Sequence, residues 1–389
     1  MNYRDILNES YAEAVAWRRH LHMHPELSFH EENTADFVAA KLEEWGLEVR
    51  KGVGGGGVTG LLKGLNPGKT VALRADMDAL PIQDEKESEY ASTVPGVMHA
   101  CGHDAHTSAL LMVAKILSAH RSQFKGNVKF IFQHAEETTP GGAKFMIEDG
   151  VLHDVDYIYG VHLWTPLQAG HVYSVAGPMM AAADEFVIQL QGKGGHGGLP
   201  HETIDTVMIG SQVVVNLQTI VSRTLNPLYP AVVSVGSFQA GNTFNIIAEK
   251  CTLKGTVRTF DEESRQTAKS KVEDLTRQTS EMHGAQSNIR YILGYPPVVN
   301  DHLETERFFA VAHSLYGTEH VHPMPLLMAG EDFAYYLEQV PGCFMIVGAG
   351  NGETRTSYPH HHPKFDLEER AMLQSAELLL HMAVNALSE

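Results

Sequence analysis

Val128-Lys129-Phe130-Ile131-Phe132-Gln133-His134-Ala135-Glu136-Glu137 decides the fold class of this chain. Val128–Gln133 is an apolar run of strand length, and it ends on two adjacent carboxylates. Open α/β sheets build their sites at the carboxyl ends of strands. Two further strands end in polar groups: Thr70–Ala75 runs into Asp76-Met77-Asp78-Ala79-Leu80-Pro81, and Asp156–Leu163 closes on His162. Between them the spacing of apolar residues predicts helices from Ile6 to Leu21, Thr34 to Trp45, Asp104 to Leu117 and Gly141 to Asp149, with Asp104 as an N-cap. Strands are expected at Leu47–Val53 and Thr59–Lys63. Such alternation implies an α/β layered domain.

The middle of the chain follows another pattern. Strands at Glu185–Gln191, Ala231–Phe238, Cys251–Arg258 and Asn288–Leu293 interleave with helices at Thr203–Arg223 and Asp261–His283. The order βαββαβ is the split-βαβ, ferredoxin-like arrangement. After Pro296-Pro297 the first pattern resumes, with helices at Asp301–Tyr316, Glu331–Gln339 and Leu367–Leu387 and a strand at Cys343–Val347. The expected architecture is one α/β domain in two segments, residues 1–182 and 296–389, interrupted by a smaller α+β domain at 183–295.

Composition excludes several classes. The 389 residues carry a formal charge of −18, and no basic stripe offsets it, which argues against a nucleic-acid partner. No apolar run reaches membrane-spanning length. The start, Met1-Asn2-Tyr3-Arg4-Asp5, is polar and does not read as a signal peptide. Three cysteines far apart, Cys101, Cys251 and Cys343, make no disulfide framework and suit a reducing cytoplasm.

Two glycine strings match the dinucleotide-binding fingerprint in letters. Gly52-Val53-Gly54-Gly55-Gly56-Gly57 is followed by strand-like Val58-Thr59-Gly60-Leu61-Leu62, so a hairpin turn is expected. Gly192-Lys193-Gly194-Gly195-His196-Gly197 lacks the acidic residue about 20 positions on that ribose recognition needs.

Met98-His99-Ala100-Cys101-Gly102-His103-Asp104 brings a thiol and an imidazole together just before a helix. Helix amides and a metal both lower a thiol's pKa, so Cys101 is expected to bind as thiolate. Alone, the pair reads more readily as a buried free cysteine and a loop histidine. Its companions are Glu136-Glu137, His162 and His360-His361-His362-Pro363, and together these are the residue types that hold divalent transition metals. Adjacent carboxylates can divide labour, one binding metal and its neighbour serving as general base.

These motifs, with Arg18-Arg19-His20-Leu21-His22-Met23-His24-Pro25-Glu26-Leu27, Gly255-Thr256-Val257-Arg258 and Gly330-Glu331-Asp332-Phe333, run nearly end to end. By them the chain resembles the M20 family of metallopeptidases and aminoacylases, in its amidohydrolase branch of hippurate hydrolases, N-acyl-amino-acid deacylases and auxin-conjugate hydrolases. The resemblance implies a mixed-sheet catalytic domain holding two divalent ions (zinc, manganese, cobalt or nickel) on Cys101, His103, Glu137, His162 and His361. His361 is chosen within its triplet because it stands two before Pro363. Glu136 would be the general base, and Asp78 a carboxylate behind a ligating histidine. Where the broader family has a further ligand histidine, this chain has Asp76. The inserted domain would be a dimerisation lid, so a homodimer or higher homo-oligomer is expected. On it His196 would reach across the dimer to the oxyanion, and Asn245 and Arg258 would hold the substrate's carboxylate.

The implied activity is hydrolysis of the amide bond of N-acyl amino acids, a small-molecule substrate. Competing readings are a di- or carboxypeptidase of the same family, a nucleotide-binding oxidoreductase resting on the glycine strings, and a catalytically inert metal-binding scaffold.

Overall fold

The computed structural model describes residues 3–388. Along the first segment α1 (Tyr3–Met23), α2 (Glu32–Glu44), β1 (Glu48–Val53), β2 (Gly57–Lys63) and β3 (Asn66–Asp76) lead to α3 (His103–Ala119), β4 (Lys125–Gln133), α4 (Gly142–Glu148), β5 (Tyr157–Gln168) and β6 (Val172–Ser174). Then come β7 (Ala182–Gln191), α5 (Thr206–Thr219), β8 (Ala231–Ala240), β9 (Lys250–Thr259), α6 (Glu262–Met282) and β10 (Gln286–Tyr295). The chain continues through α7 (His302–Tyr316), β11 (Val321–Pro323), α8 (Ala334–Leu337), β12 (Gly342–Gly350) and α9 (Ala371–Leu387). These elements form two compact units. The first takes Met1–Met179, Val299–Pro325 and Asp332–Glu389; the second takes Met180–Val298 with the short piece Leu326–Glu331.

In the first unit eight strands make one mixed sheet, in the order β1-β2-β4-β3-β5-β12-β6-β11. The centre is parallel: β3 pairs with β4 and β5, and β5 pairs with β12. Register places Asp76 opposite Gln133, and Arg74 opposite both Ile131 and Gly160. The carboxyl ends of β3 and β4 therefore finish level with each other, and His162 on β5, two residues past Gly160, lies in the same row, which brings these polar residues to one place. The last seven residues of β3 are all buried, as expected for a parallel strand covered on both faces. Nearly every residue of α3 is buried too, so it is a core helix rather than an amphipathic one. Leu110, Leu111, Val113 and Leu117 are fully buried along it, each contributing about 1.5–3 kcal/mol by removal from water. Gly54 and Gly55, both with positive φ, close the β1–β2 hairpin, and no helix follows the first glycine string.

The second unit is a four-stranded antiparallel sheet, β8-β9-β7-β10, packed with α5 and α6. Numbered within the unit, its strands run 2-3-1-4, the ferredoxin-like order. Its core gathers Phe186, Ile188, Leu190, Ile209, Val213, Leu217, Leu253 and Val257. α5 is shorter than the apolar spacing predicts. Asp205 caps its start by accepting from the amides of Val207 and Met208, and Ile220–Thr224 is a separate π-turn. The second glycine string runs into a two-residue strand, Gly195–His196, paired with Ile246–Ile247. The expected helix Glu331–Gln339 contracts to Ala334–Leu337. Asp332 is committed to Arg74, Gln133 and the amide of Ala143 instead. Among the described residues no helix is long and apolar enough to cross a membrane.

One buried cation ties α1 to α3 and to the segment before α9. Arg18 is fully buried and donates to Asp104 at 3.0 Å, Asp366 at 2.8 Å and Glu369 at 3.0 Å. Removing one partner of a buried ion cluster leaves the others unpaired. Arg18→Leu should therefore cost about 3–5 kcal/mol of stability. Arg19→Leu, on a side chain 41% exposed that shares Glu369, should cost under about 1 kcal/mol. Urea unfolding of the two variants checks this, and similar midpoints would refute the account.

Candidate metal centre

α3 begins at Gly102, whose φ of 95° is a left-handed conformation that a side chain would strain. This turn sets Cys101 and His103 beside the ends of β3, β4 and β5. Nδ1 of His103 lies 2.9 Å from the carbonyl oxygen of Asp78 and 3.1 Å from its Oδ1. That partner holds the proton on Nδ1 and leaves Nε2 as the lone-pair nitrogen. Asp78 also accepts from Ser28 Oγ at 2.7 Å and from the amide of Glu137 at 2.9 Å. It thus fixes the ring and the backbone of the acidic pair together. Nε2 of His103 then faces Oε1 of Glu137 at 3.8 Å and Oε2 of Glu136 at 3.9 Å.

The other imidazoles converge on the same place. His162 engages the carbonyl of Leu163 through Nδ1 at 2.8 Å and presents Nε2 to Cys101 Sγ at 3.4 Å. The histidine triplet splits three ways. His360 puts Nδ1 3.7 Å from Cys101 Sγ and stacks on Trp164. His361, with φ +64° and its amide bonded to Ala100, turns Nε2 to within 3.3 Å of Glu137 Oε1. His362 stacks on Tyr358. Two overlapping sets lie within 4.8 Å of one another, Cys101/His162/His360 and Cys101/His103/Glu137. The sequence singled out His361 alone from the triplet; His360 also borders the thiol.

A third set, Asp76/His103/His106, is also close enough to hold an ion. Two of its members already have partners. His106 spans from Asp76 Oδ1 at 2.7 Å to the amide of Leu163, which donates to Nε2 at 2.9 Å. Asp76 further accepts from Arg74 at 2.7 Å. These residues brace β3 against the strand end carrying His162. The sequence reading passed over His106, although its spacing three residues after His103 puts both on one helix face.

The residues present fit a metal. Nε2 of His103 and Oε1 of Glu137 are buried, lack hydrogen-bond partners and face each other across 3.8 Å. Two ligand bonds of about 2.0–2.2 Å span such a gap. Electrostatics agree. Burial works against charge on His103, yet Asp76, Asp78 and Glu137 push its pKa up to about 10. The cluster favours a cation strongly enough to keep a proton there. At Cys101, burial first, then Glu137, Glu136 and Asp76, raises the pKa well above the ordinary thiol value among the protein groups alone. Among protein groups alone the thiol stays protonated, so ionisation must come from a cation. His162 is held neutral by burial and by His106 and His360, the state in which imidazole ligates.

The remaining candidates stand in the second unit. His196 is exposed, and Gly198 N–H donates to its Nδ1 at 2.9 Å, which places the ring proton on Nε2. Asn245 is adjacent, its carbonyl accepting from the amide of Gly197 at 2.8 Å. Arg258 lies on β9, half-buried, with Nη1 donating to the carbonyl of Val257 at 3.1 Å and to Thr256 Oγ1.

Comparison with known proteins places this geometry. The model of peptidase family M20/M25/M40 matches residues 72–385. An N-acyl-L-amino acid amidohydrolase of Geobacillus stearothermophilus is 51% identical over 296 residues, which cover 76% of this chain and 80% of the relative. An N-acetyl-L-cysteine deacetylase of Bacillus subtilis is 40% identical over 369 residues, 95% of this chain and 87% of the relative. Among solved structures, a Bacillus subtilis protein described as a dinuclear metal-binding peptidase of the M20 family superposes with a TM-score of 0.84 at 35% identity, covering 98% of this chain and 99% of that one.

Backbone strain marks the acidic pair. Ala135 has φ +51°, a conformation rare for a residue with a side chain, and it aims the two glutamates that follow. Buried Glu31 holds it there, with Oε1 accepting the Ala135 amide at 2.7 Å. Burial, followed by the charge of Asp78, pushes the Glu31 pKa up to about 7. Below its ordinary pKa the carboxyl is neutral in both folded and unfolded chains. Above it the unfolded chain ionises first, so stability falls as pH rises toward 7, by up to about 3 kcal/mol. Glu31→Gln keeps the acceptor oxygen and removes the ionisation. In metal-free protein the variant should gain stability relative to wild type between about pH 5 and pH 8. Urea midpoints that move in parallel with pH for both proteins would show that Glu31 does not carry this dependence.

Proposed function

The chain belongs to peptidase family M20/M25/M40, and from that premise we propose that it is a metal-dependent hydrolase of the amide bond of N-acyl amino acids. The observation that carries the reading is the divergence of the acidic pair. Oε1 of Glu137 lies 3.8 Å from Nε2 of His103 and 3.3 Å from Nε2 of His361, whereas Glu136 turns Oε2 to 3.9 Å from Nε2 of His103 and also neighbours Asp332. Glu137 has the surroundings of a ligand, and Glu136 stands beside it, where a general base would serve.

Two divalent ions would be held by Cys101, His103, Glu137, His162 and His361. When bound, such a pair supplies acidification of the attacking water and polarisation of the scissile carbonyl. Glu136 takes the proton from water and delivers it to the departing amine. Asp78 keeps the His103 tautomer and ring plane fixed. His196, its proton on Nε2, donates to the developing oxyanion from the inserted unit. Arg258 offers the bidentate grip that a free amino-acid carboxylate requires, and Asn245 takes the same role. The native ion is one of zinc, manganese, cobalt and nickel, all suited to a mixed thiol, imidazole and carboxylate set. The reading places the enzyme in the cytoplasm. All three cysteines are free and buried, consistent with a reducing compartment. It is a homodimer through the inserted unit, whose β8 is a sheet edge and whose α5 exposes Val207 and Val215.

Glu136→Gln should keep its metals and lose roughly 10²–10⁴ in kcat on N-acetyl, N-benzoyl or indoleacyl amino acids. Elemental analysis beside turnover on that panel tests this, with dipeptides as comparison. Wild-type turnover in the metal-loaded variant would assign the base elsewhere, and preference for dipeptides would favour the peptidase reading.

His196→Ala should lower kcat by about 10²–10³ without changing metal content. Mixing inactive His196→Ala with inactive Glu136→Gln subunits should restore activity, because a mixed dimer has one site with both groups intact. No recovery after confirmed subunit exchange would eliminate action across the dimer.

A further inference from the structure

A second convergence of imidazoles lies at the far edge of the large sheet. The parallel ladder of β6 and β11 pairs His322 with Tyr173. His171 stands in the turn before β6, its carbonyl accepting from the amide of Gly348 at 2.9 Å. Its Nδ1 lies 2.8 Å from Nε2 of His322, with the rings stacked 5.1 Å apart. His320, in the turn Thr318–His320 that leads into β11, brings its ring centre to 4.8 Å from that of His171. All three side chains are half-buried, and Nδ1 of His320 is enclosed without a hydrogen-bond partner. We propose that His171, His320 and His322 form a third metal site, an accessory one that takes a divalent transition-metal ion.

The donor chemistry selects the ligand. Three imidazoles suit zinc, copper(II), nickel and cobalt, whereas calcium and magnesium take oxygen donors. Ligation requires neutral rings. Burial, together with the charges that His320 and His322 would carry, lowers the pKa of His171. The geometry needs adjustment at each ring, because the His320 ring must turn to bring a nitrogen within ligating reach of the stacked pair. Nitrogens on a tetrahedral ion at about 2.0–2.1 Å stand about 3.3–3.4 Å apart, so the His171–His322 pair must open by a few tenths of an ångström. Whichever ring now donates the shared hydrogen bond moves its proton to its other nitrogen. Glu319 Oε1, 3.9 Å from His320 Nε2, is placed to accept an N–H from that ring. Partial exposure leaves water to complete the coordination.

The site is distinct from the candidate centre. Ile346 on β12 is opposite His162 on one side and Tyr173 on the other, and Tyr173 is opposite His322. His322 is thus three strand spacings from His162 along one row, roughly 14 Å at about 4.8 Å per strand. An ion here cannot share ligands with the centre at Cys101 and Glu137.

The test uses untagged enzyme with its catalytic ions in place, equilibrated with a slight excess of zinc and analysed for metal content. Wild type should hold one equivalent more than His171→Gln or His322→Gln, and His313→Gln, at an exposed position of α7, should match wild type. Retained hydrolysis shows that the variants are folded. Equal metal content in wild type and both variants overturns the proposal. Copper(II) titration of the same wild-type enzyme gives a reading that depends on no variant. Electron paramagnetic resonance should show nitrogen coupling from imidazole at the added equivalent, and its absence overturns the site equally.

Discussion

The structure depends on a concentration of buried negative charge. Asp76, Asp78, Glu136 and Glu137 lie within or just beyond the ends of two neighbouring parallel strands, and Asp332 is buried nearby against β3 and β4. Isolated carboxylates do not survive in such surroundings, since burial opposes their charge. The chain answers in two ways. Asp76 and Asp332 are neutralised from inside by Arg74, which donates to both at 2.7 and 2.8 Å. Asp78, Glu136 and Glu137 are left facing imidazoles. That asymmetry separates framework from candidate site: Asp76 and Asp332 brace the sheet through Arg74, and Asp78 and Glu137 face the imidazole of His103.

The same constraint explains the strain. Ala135 and His361 are two of the few non-glycine residues with positive φ: Ala135 immediately precedes the acidic pair, and His361 turns Nε2 toward Glu137. Left-handed backbone at such residues costs about 1–3 kcal/mol each and persists only where surroundings hold it. The Glu31 carboxylate clamps the Ala135 amide, and the Ala100 carbonyl clamps that of His361. The fold supplies this from its core, where α3, β3 and α9 pack tightly.

Much of this was legible in the residues. Runs such as Val128–Gln133 and Thr70–Ala75 have strand length and end in polar groups, so the layered domain and the placing of Asp78, Glu136 and Glu137 follow from pattern and parallel topology. The inserted βαββαβ unit was legible for the same reason, its strands and helices each being long enough to show a period. Short strands were not: β6 and β11 have three residues each, and two-residue Gly195–His196 carries no periodic signal. The roles within the histidine triplet were not legible either. A single left-handed residue at His361 sends consecutive rings to different partners, and pattern does not encode such a turn. Nor were the surroundings of Cys101 legible: burial first, then three nearby carboxylates, raise its pKa among the protein groups alone, and pattern shows neither.

His106 shows where local reading stops and topology begins. Its sequence neighbours make it look like another ligand, three residues from His103 on the same helix face. In space both its nitrogens are engaged, one by Asp76 at the end of β3 and one by the amide of Leu163 on β5. The ring measures the gap between two parallel strands and sets the height of His162 beside Cys101. A histidine with two fixed partners is a strut, and a histidine with one fixed partner and one buried, unpaired nitrogen is a candidate ligand. His103 meets the second description, and the number of partners per ring, rather than the residue type, distinguishes the two.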